Sequence, residues 1–230
     1  MPYNTLPTAD GTDTLFHDGF RQAYHSRHGA LEEARHVFLN ASGVASRLRK
    51  RQATQVLEVG FGTGLNALLT AKTATDHGAA LVYVALEREV LPAQTLALLN
   101  HGAMLDAHPL AAALHAWRST LPDEVAVGTY DVPLALTVAL RLLVGEATTA
   151  VLPSAAFDAV YLDALSPDVN PSLWTEPFLR ALWLALRPCG CLATYSANGT
   201  VRRAMGAAGF SVERRAGPPG KREMLVGRRP

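Results

Sequence analysis

The sequence predicts an α/β fold: a mostly parallel sheet covered by helices, ending in an antiparallel C-terminal strand and preceded by a short N-terminal extension. Three observations point there. From residue 55 onward, short apolar runs alternate with helix-forming stretches, the rhythm of strands fed by crossover helices. The run from Gln55 to Val59 passes straight into Gly60-Phe61-Gly62-Thr63-Gly64 and then into an apolar stretch from Leu65, which reads as buried strand, glycine turn and helix N-terminus. Four carboxylates, Glu58, Glu87, Glu146 and Asp163, stand at or near the ends of successive expected strands, where open α/β sheets bind their ligands.

Residues 1–54 read as an N-terminal extension, polar, dotted with aromatic side chains and rich in His. Asp10 to Thr14 is a turn, 32–39 a short helix, and Asn40 to Gly43 its break. Residues 55–230 form the α/β domain. A strand over 55–59 is followed by a helix over 65–75. A strand over 81–86 ends in Glu87 and leads to a helix over 92–101, then helix or loop to about residue 119. The β-like runs 129–134 and 137–144 stop at Gly145-Glu146. A strand over 157–162 ends in Asp163. A helix over 172–186, a strand over 191–195, a helix over 198–207 and strands over 210–214 and 222–227 complete the chain. Ala216-Gly217-Pro218-Pro219-Gly220 joins the last two as a hairpin, which makes the final strand antiparallel to its neighbour.

With 230 residues, 49% of them hydrophobic, the chain can build a full core. Its 21 basic and 20 acidic residues exclude a generally basic, nucleic-acid-coating protein and leave room for a local patch. Arg202, Arg203, Arg214, Arg215, Lys221, Arg222, Arg228 and Arg229 gather toward the C-terminus. Cys189 and Cys191 cannot close a zinc site alone and read as small buried residues at a strand start; a reducing cytoplasm suits them. The first residues lack a signal-peptide pattern, and the apolar stretch 132–144 is short and contains Arg141, so a cytoplasmic protein away from membranes is expected. His17, His25, His28 and His36 form no metal-binding spacing, and neither a Gly-x-Ser-x-Gly nor a Walker loop occurs.

The spacing of the turn is Glu-x-Gly-x-Gly-x-Gly, followed by Leu65-Asn66, and it lacks the third glycine of a dinucleotide fingerprint whether that begins at Gly60 or at Gly62. An acid immediately before the turn suits a cationic ligand, and S-adenosylmethionine carries both a sulfonium and an ammonium. Glu58 is then expected near the cofactor's amino-acid part, Glu87 at the ribose hydroxyls, Glu146 at the adenine amine, and Asp163 facing the reacting group. The segment after Asp163, with Ser166-Pro167, Asn170-Pro171 and Trp174, is an ordered loop that reads as one wall of a pocket for a planar substrate.

Ordered blocks then resemble a known family. They are Tyr24-His25-Ser26-Arg27-His28-Gly29 through Leu39, Leu57 through Asn66, Phe157 through Pro167 with Asn170-Pro171 and Leu173-Trp174, Ala193-Thr194-Tyr195-Ser196 with Val201-Arg202-Arg203, and Gly220-Lys221-Arg222-Glu223-Met224. Together they resemble the methyltransferase domain of the MnmC family of bacterial tRNA wobble-uridine modification. The resemblance implies a class I, Rossmann-like methyltransferase fold using S-adenosylmethionine, held by Glu58, Gly60, Gly62, Gly64, Asn66, Glu87, Glu146 and Asp163. It implies methylation of the 5-aminomethyl group on uridine 34, in the tRNA anticodon loop, to give 5-methylaminomethyl(-2-thio)uridine. Bifunctional members carry an FAD-dependent oxidase domain as well; this chain is expected to act as a stand-alone methyltransferase, with an oxidase or other upstream enzyme on a separate chain. Glu146 stands where the family usually has Asp, and Cys189-Gly190-Cys191 replaces a more usual glycine pair.

In that reading Asp163 is the catalytic residue, holding the amine by a charge-assisted hydrogen bond and orienting its lone pair. A carboxylate near its normal pKa is a weak base for the amine's proton, so solvent is an alternative final acceptor. Tyr24, Ser166, Pro167 and Trp174 are expected to line the substrate side, within reach of residues 1–54. Lys221 and Arg222 are expected at phosphate, with Arg202 and Arg203 further candidates. The rivals are a methyltransferase for a small amine metabolite and a non-catalytic tRNA-binding module with a relict cofactor fold.

Overall fold

The computed structural model describes residues 3–230. The extension opens with a small antiparallel sheet, β1 (Tyr3–Pro7), β2 (Asp13–His17) and β3 (Gln22–Ala23), in that order. The expected turn joins β1 and β2: Thr8 Oγ1 and Thr12 N both donate to Asp10 Oδ1, at 2.7 and 3.0 Å. Helix α1 (Ala30–Glu33) runs into a wide π-helical segment, Ala34–Asn40. Gly43, at φ 87°, breaks it and opens α2 (Val44–Arg49). Val37, Phe38 and Leu48 are buried in one cluster with Val56, Leu65 and Tyr161, so from about residue 30 the extension shares the main core.

The main sheet follows the α/β rhythm. Its elements are β4 (Thr54–Val59), α3 (Leu65–His77), β5 (Leu81–Glu87), α4 (Ala93–Leu96), α5 (His101–Met104), α6 (His108–Ser119), β6 (Gly128–Ala135), β7 (Val138–Val144), β8 (Phe157–Leu162), α7 (Glu176–Ala185), β9 (Leu186–Thr194), α8 (Gly199–Ala207), β10 (Ser211–Ala216) and β11 (Glu223–Arg228). Among the described residues the sheet has eight strands, ordered β10-β11-β9-β8-β4-β5-β7-β6. β4 pairs in parallel with β5 on one side and β8 on the other. The chain winds away from β4 in both directions, and this reversal places the ligand crevice at its carboxyl end. β11 lies antiparallel between β9 and β10, as the Pro-Pro-Gly hairpin requires.

Helices cover both faces. On one, Phe38, Leu65, Leu114 and Trp117 pack with Tyr83 and Tyr161; on the other, Trp174, Phe178, Leu182, Met205 and Phe210 pack with Leu57, Val160 and Leu192. Burial of large apolar side chains like these contributes on the order of 2 kcal/mol each. No helix of the described residues is long and apolar enough to cross a membrane.

Five local readings need correction. The runs 129–134 and 137–144 are one antiparallel hairpin, so β6 adds a second antiparallel edge. The stretch 92–101 is not one helix: α4 ends at Leu96 and α5 begins only at His101, and Asn100 between them is held by the extension, its Nδ2 donating to Gly11 O at 2.8 Å and its Oδ1 accepting from Asp13 N at 2.8 Å. The helix over 172–186 is interrupted at the extended Thr175, since Pro177 has no N–H to return to the preceding turn. The strand over 191–195 begins earlier, at Leu186, and its pairing with β8 is irregular between Phe157 and Ala159. In that irregular segment Cys189 adopts φ 64° and is exposed, while Cys191 is buried as expected.

Candidate active site

The crevice is built on the glycine turn after β4. Gly60 has φ 91°, and a Cβ there would stand 2.7 Å from the Asp163 carbonyl oxygen. Gly62 has φ 51° and lies against the Tyr24 ring. Only glycine satisfies a left-handed backbone in so close an approach. The turn reaches across to β5, where Gly62 N and Glu89 N donate to the Glu87 carboxylate at 2.9 and 3.0 Å.

Beneath the turn, Asn66 Nδ2 donates to Glu58 Oε1 and to Asp163 Oδ2, both at 2.8 Å. Burial pushes Glu58 up to about 8, with the Asn66 hydrogen bond and the nearby Tyr83 hydroxyl pulling back. Asp163 is raised well above the carboxylate range, first by burial and then by the like charges of Glu33 and Glu58; Asn66 and Lys221 oppose this. It does not keep the ordinary carboxylate value. Glu87 is also raised, mainly by burial. Glu58 Oε2, Asn66 Oδ1 and the Tyr83 hydroxyl are buried without a geometrically formed hydrogen bond among the described residues. A set of acids with strained ionisation and unfilled acceptors calls for a cationic guest.

Above them lies a cavity of about 360 Å³. Its floor is the turn, Asn66, Glu87 and Asp163; its walls come from residues 22–26, Glu33, Leu165, Asn170, Tyr195 and Lys221, with His17 and Phe20 at one side. Gly60, Gly62, Asn66, Glu87, Asp163, Tyr24 and Lys221 are thus brought together, with Glu58 one hydrogen bond below. Gly64 stands at the N-terminus of α3, at φ 78°.

Other candidates lie elsewhere. Glu146 is exposed, 3.9 Å from Arg88, and lines a separate depression with Gly145 and Val127; it is Gly145 N that ties this corner to the site, donating to Glu87 O at 2.9 Å. Trp174 is buried behind the wall, with Nε1 donating to Leu165 O at 2.9 Å. Ser166 turns to Gln22, donating to Oε1 at 3.1 Å. Ser166, Pro167 and Trp174 do not line the cavity, because the loop turns its backbone and Leu165 inward. Arg222, Arg202 and Arg203 are exposed. Lys221 is already engaged, its Nζ 2.6 Å from Glu33 Oε1.

Sequence reasoning missed Glu33, which hides in a Glu-Glu pair typical of solvated helices, and Tyr195, which stands inside an otherwise small and polar Ala193–Ser196 block. It also missed a His pair, His101 buried and His25 half-buried: Thr63 Oγ1 stands 3.4 Å from His25 Nε2 and 3.0 Å from His101 Nε2. Burial lowers these imidazoles to about 4 and about 3. No group of three or more His, Cys, Asp or Glu among the described residues is placed to hold a metal ion.

Residues 108–230 match the S-adenosyl-L-methionine-dependent methyltransferase family. Curated relatives include the tRNA 5-methylaminomethyl-2-thiouridine biosynthesis bifunctional protein MnmC of Aromatoleum aromaticum, 38% identical over 96% of this chain, and that of Cupriavidus metallidurans, 34% identical over 99%. The chain spans 34% of the length of each. Among solved structures, MNMC2 from Aquifex aeolicus superposes with a TM-score of 0.75 at 26% identity, over 98% of this chain and 70% of that one. Spermidine synthase from Thermotoga maritima, at 13% identity and a TM-score of 0.58 over 99% of this chain and 68% of that one, shares the fold.

Proposed function

Since the chain belongs to the S-adenosyl-L-methionine-dependent methyltransferase family, we propose that it methylates the 5-aminomethyl nitrogen of (2-thio)uridine 34 in the tRNA anticodon loop, giving 5-methylaminomethyl-(2-thio)uridine. The observation that carries this reading is Asp163: a half-buried carboxylate at the cavity floor, with Oδ2 fixed by Asn66 and Oδ1 bearing no hydrogen bond from the described residues. The names of the MnmC relatives and of the Aquifex structure support the substrate.

The residues present fit the cofactor. Glu58, Glu87 and Asp163 supply the acids a sulfonium and an ammonium need, and Gly60 and Gly62 leave the main chain open to contact. Glu87 would take the ribose hydroxyls, and the Asn66–Glu58 pair the amino-acid end. When bound, S-adenosyl-L-methionine supplies a methyl group already activated on sulfur. The chain's own task is positioning and proton handling.

A primary alkyl amine arrives mainly protonated and cannot attack in that form. Asp163 Oδ1 receives the ammonium by a charge-assisted hydrogen bond. Burial raises the proton affinity of Asp163, so in its ionised form Oδ1 takes the proton from nitrogen and frees the lone pair. The wobble base is single-stranded and enters a pocket without melting a duplex, with Tyr24 beside its path. An earlier enzyme, an oxidase or another, must leave the aminomethyl group free.

The test is incubation with methyl-labelled S-adenosylmethionine and tRNA carrying 5-aminomethyl-2-thiouridine at position 34, followed by digestion. Label is expected in 5-methylaminomethyl-2-thiouridine. No label, with cofactor binding confirmed separately, overturns the tRNA assignment; label on a small amine would replace it, and no transfer to any acceptor would leave a binding module.

A further inference from the structure

One wall of the cavity joins segments far apart in the sequence. Glu33, the last residue of α1, is 5% exposed. Its Oε2 accepts from Ser26 N at 2.9 Å and its Oε1 from Lys221 Nζ at 2.6 Å. Lys221 lies in the loop between β10 and β11, with Nζ also 4.0 Å from the centre of the Tyr195 ring. The Tyr195 hydroxyl donates to Ala164 O at 2.8 Å, the residue after Asp163. The extension also grips the end of β10 and this loop: His36 Nε2 stands 2.8 Å from Ala216 O, and His28 packs directly on Gly220. Glu33, Lys221, Tyr195 and Asp163 all line the cavity.

Stability gives little reason to keep a largely buried ion pair, since desolvation offsets most of the attraction. Its place beside the reacting carboxylate gives a better one. We propose that Glu33 and Lys221 are positioning residues for methyl transfer: their ion pair latches the β10–β11 loop to α1 across the cavity and sets the pH at which Asp163 becomes available as a base. This rests on the methyl-transfer reading above.

The groups that face Asp163 come from every neighbouring element. Glu33 on α1 and Glu58 on β4 oppose its ionisation, Lys221 favours it, and the Tyr83 and Tyr195 hydroxyls, raised first by burial, are raised further by Asp163. His25, on the extension, is held neutral by burial at ordinary pH and adds no standing charge. Lys221 is therefore the cation in balance with a surplus of acids. With Lys221 replaced by a neutral side chain, Asp163 holds its proton to higher pH. With Glu33 replaced, the repulsion disappears and Lys221 is released toward Asp163, so the proton leaves at lower pH.

The experiment titrates Asp163 directly in the ligand-free full chain by carboxyl ¹³C NMR, with Asp163→Asn assigning the resonance. It compares wild type, Lys221→Met, Glu33→Gln and the double variant. The titration is expected to move up in Lys221→Met, down in Glu33→Gln, and to return toward wild type in the double variant. The acid limb of kcat/KM should move with it, so that Lys221→Met loses about tenfold more on the acid side than on the plateau. Lys221→Arg, which keeps the charge, should recover most of that loss and covers the case in which Lys221→Met does not fold. Equal loss at every pH, with the Asp163 titration unmoved in either single variant, would reduce the pair to packing and overturn the proposal. Failure of the wild type to methylate aminomethyl-tRNA would instead strike the function, because the NMR titration needs no substrate.

Discussion

Asn66 Nδ2 stands 2.8 Å from Asp163 Oδ2, tying the first turn of α3 to the end of β8. The same nitrogen reaches Glu58 Oε1 at 2.8 Å. One amide thus spans two carboxylates, Glu58 buried and Asp163 half-buried, that otherwise repel each other. Its position follows from Gly64, whose left-handed backbone starts the helix two residues earlier.

Replacing Asn66 by Leu should therefore act on both acids. Each loses its neutral donor while remaining buried, and the protein is expected to lose about 1–3 kcal/mol of stability. The loss should grow with pH, because the ionised forms need the donor most. Urea unfolding at pH 5 and pH 8 measures it; an equal loss at the two would mean that the carboxylates do not depend on the amide.

Asp163→Asn keeps the shape of the floor and removes the proton acceptor. Methyl transfer should fall by about 100-fold or more, while S-adenosylmethionine still binds. Calorimetric binding beside a single-turnover assay separates the two effects, and normal turnover would remove Asp163 from the chemistry.

Gly60 and Gly62 should differ in their response to Ala. At Gly60 the new Cβ meets the Asp163 backbone at 2.7 Å, which cannot yield without moving the end of β8. At Gly62 it meets the Tyr24 ring at 3.0 Å, and that ring can turn aside. Both pay a left-handed backbone penalty of about 1–2 kcal/mol, so Gly60→Ala should lose the greater stability and cofactor affinity. Thermal melts with and without S-adenosylmethionine give the order.

In the ligand-free protein Glu58 and His25 should act in opposite directions between pH 4.5 and 6.5, leaving a net loss of stability as pH rises from 6.5 to about 8. The folded-state pKa of Glu58 is raised from 4.5 to about 8, so its contribution is present below the unfolded value and is lost as pH rises through that window. That of His25 is lowered from 6.5 to about 4, so its contribution is present above 6.5 and is lost as pH falls toward 4. Glu58→Gln should flatten this alkaline loss and uncover the His25 loss below pH 6.5, and bound S-adenosylmethionine should offset the same alkaline loss by placing positive charge near the acids. An unchanged alkaline slope in Glu58→Gln would show that other groups govern it.

The sequence by itself determined the central framework. Strand 157–162, the Glu-x-Gly-x-Gly-x-Gly turn, the helix from Leu65 and the Pro-Pro-Gly hairpin are local signals, set by hydrophobic period and by backbone angles that few residues adopt. Asp163 and Glu87 were legible because they follow directly from where a strand ends. Tertiary structure decided what depends on distant partners. Glu33 reads as a surface acid until Lys221, far along the chain, is folded against it. Asn100, at the start of α5, is held by Asp13 and Gly11, which reach it from the extension. Trp174 lies behind the wall and Glu146 outside the cavity because the loops that carry them turn, and a turn in a loop has no period to read. Most of all, the basicity of Asp163 is set by burial and by Glu33, Glu58 and Lys221 acting together, a field that exists only once the chain has closed around it.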